Sequence, residues 1–126
     1  EEDSFIQDLF ASIRREERLE GKEDTITRNI SKSIQFIAEY NNNIDELVMV
    51  YEKMESDKVA KIVEKMMANN NTVTALEINL EPVFEISDAS VVIDILSRMR
   101  KKKLSSIMNY INDELASKLT QMLVKK

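Results

Sequence analysis

Residues 26–54, ITRNISKSIQFIAEYNNNIDELVMVYEKM, decide how this chain folds. Ile26, Ile30, Ser33, Ile37, Tyr40, Ile44, Leu47, Tyr51 and Met54 recur there at alternating spacings of four and three. That 3.5-residue period is the period of a left-handed coiled coil. Ile30, Ile37 and Ile44 take the a positions, and Tyr40, Leu47 and Met54 take d. A β-branched residue at a with an unbranched one at d favours two parallel strands, so the pattern predicts a homodimer. Asp24 or Thr25 is placed to cap the start of the helix.

The flanking positions qualify this reading. Positions e and g hold Asn29, Ile34, Phe36, Asn41, Asn43, Val48 and Val50 where Glu and Lys pairs are usual. The apolar stripe is therefore wider than a two-helix seam can bury. It calls for an additional cover, for a larger bundle, or for a long helix that lies on its own domain. In the coiled-coil reading, Leu47 and Tyr51 face the partner helix, while Val48, Met49 and Val50 are covered by the C-terminal part of the chain.

That C-terminal part repeats a short unit. MESDKVAKIVEKM ends at Met66, SDASVVIDILSRM at Met99, RKKKLSSIMNYI at Ile111 and NDELASKLTQML at Leu123. Four residues before each end stand Ile62, Ile95, Ile107 and Leu119; seven before stand Val59, Val92, Leu104 and Ala116. Each unit is too short to be a stable helix alone, so stacking on its neighbours must supply the burial. The expected fold class is all-α: an amphipathic N-terminal helix, a long coiled-coil helix, then a superhelical stack of short helices. The boundaries fall at 1–22, 23–54 and 55–126.

In the first segment Phe5, Ile6, Leu9, Phe10 and Ile13 recur at helical spacing behind Asp3 or Ser4, and a charged run to Glu20 meets Gly21, a helix-ending residue. An arm folded back at Gly21 would cover Ile34 and Phe36. The polar face of this helix is of mixed sign, which argues against a membrane-surface helix.

Composition narrows the function classes. Gly 1 and Pro 1 leave few of the residues that barrels and sandwiches need at their turns. Cys 0 and His 0 remove thiol nucleophiles, thiolate or imidazole metal sites and imidazole acid–base chemistry. The sequence has no nucleophile–base pairing, no Gly-rich phosphate loop and no metal-ligand set, which points away from an enzyme and from a cofactor. A net charge of -5 with both signs interspersed gives no general attraction to nucleic acid or to an anionic bilayer, and points to a protein partner. No apolar run reaches membrane-spanning length. The chain opens with EEDSF and no initiator Met, so an upstream segment is expected.

YEKM followed by DKVAKIVEKM, then VVIDILSRM, RKKKLSSIM and ELASKLTQML, resembles the C-terminal domain of the MotE family of flagellar motor chaperones. That domain is related to the N-terminal domain of MgtE magnesium transporters and to FliG-type helical repeats. The likeness covers residues 47–66 and 87–123, and the order of coil then repeat domain agrees with it. It implies a non-enzymatic, dimeric periplasmic protein, held to the membrane through an upstream anchor outside this chain, that stabilises or positions a flagellar stator component. The alternative it allows is a cytosolic magnesium-sensing domain.

Residues 67–86, MANNNTVTALEINLEPVFEI, depart from the family pattern as an insertion. Asn69 to Asn71 mark a loop. Leu76, Ile78 and Leu80 alternate as in a strand, and a short helix stopped before Pro82 is an equal alternative. Val83, Phe84 and Ile86 are not assigned to the core by the repeat phase, which makes them candidates for partner binding.

Arg100, Lys101, Lys102 and Lys103 form a basic run with no interleaved aromatic residue to stack on bases, and read as solvated. Asp57, Asp88, Asp94, Asp113 and Glu114 read as caps and dipole partners of the short helices rather than as magnesium ligands. The methionines at core phase read as gap-filling side chains.

Overall fold

The computed structural model describes residues 5–10 and 23–126. Asp3, Ser4, Ile13, Glu20 and Gly21, the proposed caps, last apolar position and turn of the N-terminal arm, lie outside the described residues. Helix α1 occupies residues 5–10. The order is then α2 (Glu23–Lys53), α3 (Ser56–Asn69), strands β1 (Thr72–Ile78) and β2 (Glu81–Ser87), α4 (Asp88–Arg98), α5 (Lys101–Met108) and α6 (Asp113–Lys125).

Helix α2 is the long helix of the expected coil, with 31 residues, or about 46 Å at 1.5 Å per residue. It stops where Met54 turns the chain, its N–H donating to the Tyr51 carbonyl at 3.3 Å. Glu55 is extended and starts α3. Helix α3 closes on Asn70, whose left-handed backbone (φ 40°) returns its N–H to the Met66 carbonyl, the role that Gly or Asn plays after a helix.

All four short units are helices. Val59, Val92, Ile95, Ile107 and Leu119, five of the eight phase positions named above, are buried in one core. In α3 Val63 is buried while Ile62 stays half exposed. The stack closes on the C-terminal half of α2 through Ile44 and Val48.

Two expectations are corrected here. The chain is mostly helical but not all-α, because the insertion forms a two-stranded antiparallel hairpin, β1 against β2. Ile78 pairs with Glu81 across Asn79 and Leu80, both at positive φ (56° and 67°), as a two-residue type I′ turn requires. Pro82 is tolerated because each strand of a two-stranded sheet is an edge. The Ser87 hydroxyl accepts the Ser90 N–H, and Ser90 reaches back to the Ser87 N–H, so the hairpin runs directly into a capped α4.

The second correction concerns the seam. Ile44, assigned to an a position against a partner helix, is only 2% exposed within its own domain. Met49 and Val50, expected to lie under the stack, are 59% and 51% exposed. One face of α2, carrying Tyr40, Ile44, Val48 and Tyr51, is turned onto the core, and Met54 just past its end packs there too. A helix packed on one face leaves its other sides to solvent, and Met49 and Val50 fall there.

Candidate functional site

The N-terminal half of α2 extends past the helical core, and the hairpin folds back beside it. Between them, with α1 on the rim, runs an apolar groove of about 350 Å³. Its floor is Ile26, Ile30, Ile34 and Ile37 from α2; Ile78, Val83 and Phe84 from the hairpin form one wall, and Phe5, Ile6 and Leu9 the other. Asn29 and Ser33 also line it, and the Ser33 hydroxyl is satisfied by the Asn29 carbonyl at 3.2 Å.

The hairpin is seated on α2 by Phe84, whose ring stacks on Phe36 with centroids 4.9 Å apart. Phe36 also faces Tyr40 at 6.3 Å. Beyond this stack lies a second hollow of about 280 Å³, lined by Phe36, Tyr40, Glu85, Ile86, Ser90 and Asp94. Ile37 and Phe84 line both spaces, so the two adjoin across these side chains.

Asp94, in the middle of α4, is the polar centre of the second hollow. The Tyr40 hydroxyl donates to its Oδ2 at 2.5 Å, and Lys126 pairs with its Oδ1. Burial, then the hydrogen bond to Asp94, pushes the Tyr40 hydroxyl well above the usual phenol range, with Arg98 opposing. Arg98 clamps α4 to α2 through the Asn41 carbonyl at 3.2 Å and the Asp45 carboxylate at 3.0 Å. Glu85 is exposed and has no partner among the described residues. The hairpin as a whole carries Glu77, Glu81 and Glu85 and no cation.

The residues singled out by sequence divide accordingly. Val83, Phe84 and Ile86 come together with Ile26, Ile30 and Ile37 around the two hollows. Tyr40, Ile44, Tyr51 and Met54 are committed to the chain's own core. Leu47 is left on the surface at 37% exposure. The Phe36–Phe84 stack and the Tyr40–Asp94–Lys126 chain escape a reading along the sequence, because each joins residues far apart in it. The one available signal is the spacing of Glu77, Glu81 and Glu85 in a segment without Lys or Arg.

The charged runs have structural employment. The Glu52 carboxylate accepts the Arg100 backbone N–H at 2.9 Å and pairs with its side chain at 3.4 Å, while Lys103 donates to the Met54 carbonyl. Arg100 and Lys103 thus pin the end of α2 to the start of α5, while Lys101 and Lys102 are exposed, as a solvated run would be. The caps are corrected: Ser87 and Asn112 receive the capping hydrogen bonds of α4 and α6. Asp57, Asp88, Asp113 and Glu114 lie in first turns, where a carboxylate suits the helix dipole. Asp94 caps nothing. Among the described residues no three carboxylates gather as a metal site, and no helix is long and apolar enough to cross a membrane.

Comparison with protein-family models, with curated proteins and with solved structures finds no match.

Proposed function

We propose that the chain is a non-enzymatic docking protein of the flagellar motor, acting in the periplasm to stabilise or position a stator component. The observation that supports docking is the apolar groove between α2 and the hairpin, where Val83 is 43% exposed. A monomeric surface normally keeps contiguous apolar lining covered, and an uncovered groove marks an interaction site. The motor assignment rests on the resemblance of the helical units to the MotE family. Self-association through α2 belongs to the same proposal, and the side chains on offer for it are Leu47 and Val50, since Ile44 is already used within the chain.

The test is a strain producing the full-length protein with Val83→Glu, which places a charge on the groove wall at an exposed position. Motility falls while the protein stays folded at its normal level. Unchanged motility at normal protein level overturns the proposal.

A further inference from the structure

We infer that the groove and the hollow beside it form one docking surface, and that its occupant is an amphipathic helix carrying Arg or Lys at one end of its apolar stripe. The inference rests on the reading of the chain as a docking protein and specifies the chemistry of the partner.

The floor asks for a helix. Ile26, Ile30 and Ile37 recur at the spacing that lets one helix seat on another, over about 16 Å at 1.5 Å per residue, or three turns of a visiting helix. The flanks of the floor carry Asn29 and Ser33 rather than charge, so an apolar stripe meets no uncompensated ion there.

The cation is called for by the chemistry at the end of the floor. Past Phe84 the lining changes to Glu85 and Asp94 among Phe36 and Tyr40. Lys126 already pairs with Asp94, which leaves Glu85 as the carboxylate of this hollow without a partner among the described residues. A guanidinium or ammonium entering there meets Glu85 and aromatic rings together, a combination that suits a cation on an apolar stem. Glu77 and Glu81 extend the negative charge along the hairpin. A second copy seated groove to groove would bring two such hairpins toward each other without a cation on either, which disfavours symmetric self-docking at this surface.

The probe is a fluorescent 18-residue helical peptide with Leu at i, i+4, i+7 and i+11 and Arg after the last Leu, compared with a twin bearing Glu in place of Arg. The protein is the full chain. The Arg peptide binds roughly fivefold tighter than its twin at low salt, and the preference fades as salt screens it. Glu85→Gln, at an exposed position with no partner among the described residues, removes most of the preference and leaves the urea midpoint unchanged; Val83→Glu weakens both peptides. Equal binding of the twins, or binding of neither, overturns the inference. So does a fall in the mass of the protein alone on Val83→Glu, which would assign the surface to a second copy. The inference and the motor reading fail separately: equal twins with impaired motility overturn the inference and leave the motor reading, and discriminated twins with normal motility do the reverse.

Discussion

Phe36 and Phe84 stack with their ring planes 23° apart, and this contact holds the hairpin against the long helix. Phe84→Ala removes a half-buried ring and costs about 1–2 kcal/mol, below the 3–5 kcal/mol of a fully buried Phe. A double-mutant cycle with Phe36→Ala in urea, with hydrogen exchange on the hairpin amides, checks it. The two losses are less than additive, and exchange rises in β1 and β2 before it rises in α4.

Ile44 and Leu47 sit three residues apart on α2 and answer to different tests. Ile44→Asn puts a polar amide in the core and lowers the urea midpoint, with a loss on the order of 2–5 kcal/mol. Leu47→Asn changes fold stability little and, in the self-association proposed through α2, lowers the mass seen by light scattering. A dimer that survives Leu47→Asn together with Val50→Asn would place self-association elsewhere.

The short helices are legible in the sequence and the seam is not, for one reason. A phase of minus four and minus seven residues, repeated four times, marks buried positions such as Val92 and Leu119 whatever they pack against. The 3.5-residue period of α2 likewise says that Ile37 and Ile44 are covered, without saying by which chain. At Ile44 and Val48 the cover is the chain's own helical core. The hairpin is only half legible, because its turn places Asn79 and Leu80 at positive φ, and Leu at the second position gives none of the signal that Gly would. The groove depends on both elements, since it forms where the hairpin returns to the part of α2 that the core leaves uncovered.

The Tyr40–Asp94 hydrogen bond gives stability a dependence on alkaline pH. The phenol is held above its ordinary value in the fold, so the native state keeps a proton that the unfolded chain gives up near pH 10. This contribution is whole below about pH 10 and declines as pH rises beyond it. Tyr40→Phe removes a hydrogen bond worth about 1–2 kcal/mol. Urea midpoints measured from pH 8 to 11 show a smaller alkaline decline in the variant than in the parent.

Millimolar Mg²⁺ leaves the melting temperature nearly unchanged. The Asp88 carboxylate accepts the Asn71 N–H at 2.9 Å, which gives it a local structural role. Asp88→Ala therefore lowers the melting temperature equally with and without the ion. A rise of many degrees with Mg²⁺ that Asp88→Ala abolishes would favour the magnesium-sensing alternative.

The most direct test of the docking surface is photo-crosslinking in the cell. A benzophenone amino acid placed at position 83 in the full-length protein, with position 118 on the exposed surface of α6 as control, is irradiated and the adducts identified by mass spectrometry. The expected result is an adduct from position 83 alone, joining this chain to a flagellar motor protein through a helix that carries Arg or Lys beside its apolar stripe. An adduct only with a second copy of this chain, or the same adducts from both positions, would contradict docking at this surface.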